Sequence, residues 1–384
     1  MKKILSFFKW LLAVLLLLIA LLYITDYDYI LKGVRVVYMT GHTTAFIDDH
    51  VYFENDTINS GQPQQWPLHK AYNSVEVTEE LSEVNQKLGT IAYVIIKNDS
   101  IWFEEYAEDY GTYSHTNSFS MAKSITTALM GKAIQQGKIK GLDQKITDFY
   151  PEFANAEATV GDLASMTSGM NWEESYKSPF SITARAYYDD DLAETILDQE
   201  FTQTPGEAFQ YKSGNTQLLG MIIQKATGQK LADYLSVSFW KPMGMSDSAY
   251  WQLDDDENEL AKAYCCIASN ALDFARFGKL FKDGGSWNGK QLLDSAFVAT
   301  ATKPRFKGEP YGYGFWISNH MNKDIFVMRG ILGQYVITIP KDNVIIVRLG
   351  HQRGTKTGNN AFTNDFYTFI EEGYTMMKNA NLLK

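Results

Sequence analysis

The stretch Ser118-Phe119-Ser120-Met121-Ala122-Lys123-Ser124 opens the run that decides the fold. From Ser120 to Gln136, apolar residues recur at steps of three and four, which predicts a helix. Gly137 follows the last of them, where helices commonly end in a left-handed residue. On this helix Ser120 and Lys123 share one face, one turn apart. Ser120 lies in the first turn, where unpaired backbone N–H groups favour negative charge.

A serine with an amine beside it is the arrangement of a nucleophile and its base. The Lys123 amine must be neutral to accept a proton, whereas a free lysine has a pKa of roughly 10.4. Burial or a nearby cation lowers that pKa, so we expect Lys123 to be buried. The pattern Ser-x-x-Lys also occurs at Ser6–Lys9 and Ser238–Lys241. The motif is therefore weak by itself, and Ser120 needs partners elsewhere in the chain.

Composition bounds the possible functions. The 384 residues are 45% hydrophobic, which is ample for a large core, and the formal net charge of -10 argues against binding to nucleic acid. No metal-ligand spacing, phosphate loop or dinucleotide fingerprint is present, so neither a metal nor a cofactor is expected. Asp254–Glu257 is interpreted as a solvated acidic cluster and His351 as structural. Cys265 and Cys266 fit no metal or redox pattern and are interpreted as two buried thiols.

The N-terminus predicts a membrane anchor at residues 1–24. Residues 4–24 are almost wholly apolar, which is typical of a single transmembrane helix. Lys2, Lys3 and Lys9 lie on its N-terminal side, so that end is expected in the cytoplasm. A cleaved signal peptide is the alternative, but no obvious cleavage site follows the apolar run, and an uncleaved anchor is favoured. Either way the rest of the chain is expected on the periplasmic or extracellular side.

The remaining chain predicts a stalk and arm at residues 25–74 and one α+β domain at residues 75–384. The predicted strands are Thr90–Ile96, Ile101–Tyr106, Phe315–Ser318, Ile325–Met328, Gln334–Ile339 and Val344–Leu349. A closing helix is predicted at Phe362–Met377. This order predicts an antiparallel sheet built from both chain ends and flanked by helices, with a mostly helical insert at about residues 140–305.

A second polar cluster, Pro205 to Gly220, contains Tyr211-Lys212-Ser213 just before a predicted helix. Here the chain resembles the serine β-lactamase and penicillin-binding protein superfamily, over roughly residues 75–384. The first motif of that superfamily is Ser-x-x-Lys on the helix after a hairpin, and its second is Tyr-x-Asn or Tyr-x-Ser. The class C-like branch, which includes esterases, D-amino-acid peptidases and 6-aminohexanoate-dimer hydrolases, matches best. Further segments resemble the superfamily's scaffold: Met166–Gly169, Leu218–Gly220, Phe274–Gly278 and Tyr311–Gly314.

The third superfamily motif, Lys-Thr-Gly or His-x-Gly on a strand beside the site, is where this chain departs from the pattern. A literal Lys356-Thr357-Gly358 follows the last predicted strand and is interpreted as a decoy. By position the equivalent is Met328–Gln334, which has neither the lysine nor the histidine, although Arg329 offers a charge. The missing cation argues against β-lactamase activity, because it would help to hold a substrate carboxylate.

The resemblance implies acyl transfer and a set of residue roles. Ser120 would attack a carbonyl after passing its proton to Lys123, or to Tyr211 acting as a phenolate with help from Lys123 and from Lys212. The oxyanion would lie between the backbone N–H of Ser120 and one from residues 330–334, with Gly333 as the predicted donor.

Further residues complete the predicted site. Ser213 and Asn215 could orient Lys123 or a substrate amide, and Asn215 is equally well explained as a helix cap. The candidates for an acyl pocket in the insert are Trp172, Tyr176, Tyr187 and Tyr188, each of which is also explained by packing.

Three functions remain open. The first is a membrane-tethered serine hydrolase of small amides or esters, similar to 6-aminohexanoate-dimer hydrolase. The second is a β-lactamase or a D-alanyl-D-alanine carboxypeptidase, which the altered third motif disfavours. The third is a non-catalytic, penicillin-recognising protein of the cell envelope, which the intact Ser120, Lys123 and Tyr211 disfavour.

Overall fold

A computed structural model of the protein describes residues 2–383. Its helices are α1 Lys2–Ile24, α2 Tyr29–Val36, α3 Glu79–Lys87, α4 Ala122–Gln135, α5 Val160–Ala164, α6 Ile182–Tyr188, α7 Leu192–Leu197, α8 Ser213–Thr227, α9 Leu231–Leu235, α10 Ala271–Lys282, α11 Ser295–Ala301 and α12 Asn364–Asn379. Its strands are β1 Asn55–Ile58, β2 Thr90–Lys97, β3 Ser100–Tyr106, β4 Thr116–Asn117, β5 Ala249–Gln252, β6 Ile267–Ser269, β7 Ser286–Trp287, β8 Lys290–Gln291, β9 Trp316–Ser318, β10 Ile325–Gly330, β11 Gln334–Ile339 and β12 Val344–Gly350.

The larger sheet has six strands in the order β3-β2-β12-β11-β10-β9, and all neighbours are antiparallel. Strands β2 and β3 come from the N-terminal part of the domain and β9 to β12 from its end. The predicted sheet from both chain ends is therefore confirmed. The central strands β2 and β12 are rich in buried β-branched residues, as expected for strands covered on both faces.

The two faces of this sheet are covered by different helices. Side chains alternate along β2, so Tyr93 and Ile95 join the core under α3 and α12, and Val94 and Ile96 join the core on the other face. That second face carries α4, α10 and the helical insert. Helix α10 comes close to the sheet at Gly278, where a Cβ atom would lie 2.8 Å from the Thr338 hydroxyl oxygen.

A second sheet, which the sequence did not predict, ties the arm to the domain. Its order is β1-β5-β6-β4, and β1 belongs to residues 25–74. Asp49 of the arm is fully buried and accepts hydrogen bonds from Asn117, Tyr187 and Gln252 at 2.8, 2.7 and 3.2 Å. Burial raises the pKa of Asp49 to about 6, and these donors act in the opposite direction. Part of the predicted stalk and arm is therefore packed structure.

Helix α1 fits the predicted anchor in length and composition. It has 23 residues and a mean hydropathy of 2.6, and none of the residues in its apolar stretch is buried against the rest of the protein. At about 1.5 Å per residue the helix is roughly 35 Å long, against about 30 Å of hydrocarbon in a bilayer. One such helix near an N-terminus could be a transmembrane span or a signal anchor.

Two expectations about the insert are wrong. Cys265 and Cys266 are not free thiols but are joined in a disulfide. In the acidic cluster, Asp256 and Glu257 are exposed as expected, but Asp254 is 1% exposed, and its carboxylate accepts N–H groups from Asp255, Leu260 and Leu192. The carboxylate shapes its own loop, because a buried acceptor must be satisfied by the nearest donors.

Candidate active site

Ser120 lies in a tight turn between β4 and α4. Residues 119–121 form a 3-10 turn, and α4 begins at Ala122, slightly later than the predicted helix start. Phe119 has φ +45°, a left-handed conformation that costs free energy in a residue with a side chain. Its N–H is held by the Asn117 side chain at 2.8 Å, and Ser118 bonds to Ile267 through both its N–H and its hydroxyl. The second sheet therefore fixes the turn that presents Ser120.

Lys123 is buried, as predicted, and its amine is in contact with Ser120. The residue is 1% exposed, and Nζ lies 3.1 Å from Ser120 Oγ, 3.1 Å from Ser213 Oγ and 2.9 Å from the Tyr264 carbonyl oxygen. Burial lowers the pKa of Lys123 to about 8, while the charge of Glu174 raises it. With this pKa about one tenth of the Lys123 amines are neutral at pH 7 and about half at pH 8, and the neutral form is the one that can accept a proton.

Tyr211 comes from far along the chain to the same place. The Lys123 amine lies 5.0 Å from the centre of its ring, which packs on Tyr311 and Trp316. Burial raises the pKa of Tyr211, and hydrogen bonding with the Ser120 hydroxyl lowers it. Burial is the larger effect, so the phenol is protonated near neutral pH. Lys212 is turned elsewhere: its amine donates to the Met170 carbonyl at 2.5 Å.

Glu174 is a site residue that the sequence analysis missed. Its carboxylate accepts hydrogen bonds from the Ser213 N–H and Oγ, both at 2.7 Å, and from Trp172 Nε1 at 2.8 Å. Tyr176 donates to the same carboxylate. Because Ser213 Oγ also accepts from Lys123, a continuous path of hydrogen bonds joins Glu174 to the amine. No pattern distinguishes Glu174 from its neighbour Glu173 in the sequence, so only the fold identifies it.

Three predicted site residues are not brought to the Ser120 cavity. Asn215 is buried in α8, where its side chain bonds to Ser168 at 2.5 Å, and it is not the helix cap either. Trp172 packs against the start of α8 and reaches the site only through its bond to Glu174. Gly333 does not line the cavity at Ser120, and a Cβ atom at this position would meet the Arg348 guanidinium and the backbone of Gln352.

The turn after β10 reaches the cavity through a different residue. Ile331 lines the cavity with Ser120, and Gly330 approaches Ser118 so closely that a Cβ atom would lie 2.4 Å from its carbonyl oxygen. Arg329 donates to the Ala361 carbonyl and stacks on Trp316. Its charge lowers the pKa of Tyr211, but its side chain does not line the cavity at Ser120. The literal Lys-Thr-Gly lies after β12 at exposed positions, as predicted.

A mostly apolar cavity of about 90 Å³ opens at Ser120. Three of the four aromatic residues proposed from the sequence line it, and the disulfide also contributes. The lining includes Tyr176, Tyr187, Tyr188, Ala184, Tyr264 and Cys265. The arrangement places a serine hydroxyl, an amine of lowered pKa and a protonated phenol at the end of an apolar pocket, which suits attack on a carbonyl that carries an apolar acyl group.

Comparison with known proteins agrees with this geometry. A profile of the family described as Beta-lactamase matches residues 76–367. The chain belongs to the β-lactamase family. Members of this family are typically serine hydrolases, and their fold is the one described above.

Two relatives of this β-lactamase family chain match it in sequence over different lengths. It is 24% identical over 302 residues to 6-aminohexanoate-dimer hydrolase of Paenarthrobacter ureafaciens, covering 70% of this chain and 75% of the relative. Protein flp of Staphylococcus aureus is 30% identical over 139 residues, which is 35% of this chain and 27% of that protein.

Solved structures share the fold. A Bacillus anthracis protein described as a candidate 6-aminohexanoate-dimer hydrolase superposes with a TM-score of 0.72 at 22% identity, covering 92% of this chain and 95% of the other. A family VIII carboxylesterase superposes with a TM-score of 0.59 at 17% identity, covering 81% and 99%. At these identities the likeness concerns the fold alone.

Proposed function

We propose that this β-lactamase family protein is a membrane-anchored serine hydrolase that cleaves small amides or esters through an acyl-enzyme on Ser120. The observation that carries the proposal is the contact between Ser120 Oγ and a buried Lys123 amine whose pKa is lowered to about 8. The relation to 6-aminohexanoate-dimer hydrolase supports hydrolysis of an amide or a similar acyl bond.

In the proposed acylation step, one proton moves from Ser120 to Lys123 and is then passed on to the leaving group. Neutral Lys123 takes the proton of Ser120 Oγ as Oγ bonds to the substrate carbonyl carbon, and the carbonyl oxygen becomes an oxyanion. Backbone N–H groups of Ser120 and Ile331 would stabilise it. The ammonium of Lys123 then returns its proton, through the Tyr211 hydroxyl, to the leaving amine or alcohol as the acyl bond breaks.

A water molecule completes the cycle. Neutral Lys123 takes a proton from the water as the water oxygen bonds to the acyl carbon. The Lys123 ammonium then gives that proton to Ser120 Oγ as the acyl bond to Oγ breaks, which releases a carboxylic acid and restores the serine hydroxyl. Because burial raises the pKa of Tyr211, we favour a neutral phenol that relays a proton over a phenolate that starts the reaction.

Anchoring is the second part of the proposal. Lys2, Lys3 and Lys9 cluster at the N-terminal end of α1, which favours a cytoplasmic N-terminus and a domain on the extracytoplasmic side. Protease protection in intact cells tests this: a tag at the C-terminus is expected to be digested from outside, and a tag that is digested only after lysis would overturn the orientation.

Mass spectrometry tests the chemistry. The full chain is incubated with short ester and amide substrates and with a fluorophosphonate probe, beside Ser120→Ala. We expect an adduct on the peptide that carries Ser120, no such adduct in the variant, and turnover only with the unchanged protein. Absence of an adduct and of turnover would leave a binding protein, and hydrolysis of a chromogenic cephalosporin would favour a β-lactamase.

A further inference from the structure

The cavity at Ser120 shares part of its lining with a second cavity. A second cavity, of about 160 Å³, abuts it and shares five of its lining residues: Thr44, Tyr176, Ser178, Ala184 and Tyr188. Three of these carry small side chains, so the boundary between the two cavities is thinly built. Their linings together extend from Ser120 to residues of α2.

The outer cavity lies against the first helix that follows the apolar α1. Its wall on that side is made by Ile30, Gly33 and Val34 of α2 and by Val37, which follows the helix, and none of these residues is charged. The lining also includes Lys177, in the loop before α6. The opposite wall is the loop before α6, which is tied to α2 by a hydrogen bond of 3.0 Å from the Tyr29 hydroxyl to the Pro179 carbonyl.

The outer cavity is also close to the end of α1. Tyr29, in its lining, comes five residues after Ile24, so the chain between them spans at most about 18 Å. Exposed apolar side chains lie around this opening, with Tyr38, Met39 and Phe180 at 66%, 77% and 63% exposure. Aromatic residues in this position are typical of a membrane–water interface.

We propose that the two cavities form one acyl channel, and that the substrates are amphiphiles in which a saturated acyl chain of more than about four carbons is joined as an ester or amide to a small polar group. The chain occupies the cavities while its carbonyl carbon lies at Ser120, and water cleaves the ester into a fatty acid and an alcohol. This inference rests on the proposed serine hydrolase and its anchor. Because the channel lies close to the end of α1, the substrate would enter it from the outer leaflet of the membrane.

Chain-length preference tests the channel in the full-length protein, reconstituted in lipid nanodiscs. The probes are p-nitrophenyl acetate, butyrate and decanoate. We expect kcat/KM to rise by at least about 50-fold from acetate to decanoate, a gain that complete burial of about three of the additional methylenes in the transition state would supply. Thr44 is exposed, so Thr44→Trp fills the junction of the cavities without disturbing a core; it is expected to lower the decanoate-to-acetate ratio at least tenfold.

A matched variant separates the channel from partition of the probe into lipid. Thr375 is exposed on α12, on the other face of the sheet, and Thr375→Trp is expected to keep the ratio of the unchanged protein. Acetate hydrolysis without a preference for decanoate, or a Thr44→Trp protein with an unchanged ratio, would overturn the channel and leave the hydrolase intact.

Labelling of Ser120 gives a reading that does not need turnover. A fluorophosphonate with a dodecyl chain is expected to label the unchanged protein faster than one with an ethyl chain, and Thr44→Trp is expected to abolish that difference. Equal rates in the unchanged protein would overturn the channel. No labelling by either probe, together with no hydrolysis of any ester, would overturn the proposed function itself.

Discussion

Replacing the Glu174 carboxylate by an amide perturbs the pKa of the proposed base without touching Ser120 or Lys123. Glu174 accepts from Ser213 Oγ, and Ser213 Oγ accepts from the Lys123 amine, so the carboxylate stabilises the ammonium form of Lys123. Glu174→Gln keeps the shape and most of the hydrogen bonds and removes the charge. The pKa of Lys123, about 8 in the unchanged protein, is therefore expected to fall.

The structure gives the size of this change. The two hydrogen bonds of 3.1 and 2.7 Å place the carboxylate oxygen within about 5.8 Å of the amine. At an effective dielectric constant of roughly 20 to 40, two unit charges at that distance attract by about 1.5 to 3 kcal/mol. Glu174 is half-buried and still in contact with solvent, so solvent screening favours the lower figure, which corresponds to a fall of about one pKa unit.

The assay is the pH dependence of kcat/KM for a short ester. Lys123 acts in its neutral form, so activity is expected to rise with pH and to reach half its plateau near pH 8, and in Glu174→Gln this midpoint moves about one unit to the acid side. The plateau itself is expected to fall, because the amide holds Ser213 less firmly. Glu173→Gln is the matched control, since Glu173 is exposed beside it and should leave the profile unchanged. A midpoint in Glu174→Gln that stays in place or moves to higher pH would refute this account of the base.

Three further substitutions probe the site and the fold. Lys123→Met is expected to lower kcat for ester hydrolysis by roughly 1,000-fold, since it removes the general base; turnover within tenfold of the unchanged protein, by the same assay, would contradict this. Tyr211→Phe keeps the ring packed on Trp316 and is expected to lower kcat about 100-fold with little change in KM; an effect confined to KM would assign the hydroxyl to substrate binding. Gly278→Val drives side-chain atoms into β11 and is expected to lower the free energy of unfolding by about 1 to 3 kcal/mol, measured by denaturant titration. Gly141 has open space around it, so Gly141→Val is expected to lower that free energy far less. Equal losses in the two variants would contradict the close approach of α10 to the sheet.

What the sequence predicts correctly here is carried by local patterns. The strands of the large sheet follow runs of apolar and β-branched residues, and all six predicted strands are present within a few residues of their expected ends. Ser120 and Lys123 lie one turn apart in one segment, so their spacing alone places them together. Tyr211 could be found only because it lies in a second recognisable motif.

The rest of the site depends on contacts that no local pattern encodes. Glu174 acts by lying across from α8, and the Tyr264 carbonyl that orients Lys123 is a backbone atom with no signature in its residue type. The motif position predicts Gly333 as the oxyanion donor, but a Cβ atom at Gly333 would lie against Arg348, and it is Ile331 of the same turn that lines the cavity. Ile331 and Gly333 are only two positions apart in the turn and have different surroundings, so a prediction accurate to one segment can still select the wrong residue.

The arm illustrates how a distant segment can control the proposed nucleophile. Asn117 is held on one side by the arm residue Asp49 and on the other side it holds the N–H of Phe119, whose left-handed backbone turns the chain toward Ser120. A strained backbone conformation persists only where several contacts hold it in place. One of the contacts that hold Asn117 comes from Asp49, which precedes the domain predicted at residues 75–384. The same arm, through Thr44, forms one wall of the proposed acyl channel. Removal of the arm is therefore expected to release the turn at Ser120 and to open the proposed channel together, because the segment that links α1 to the domain contributes to both.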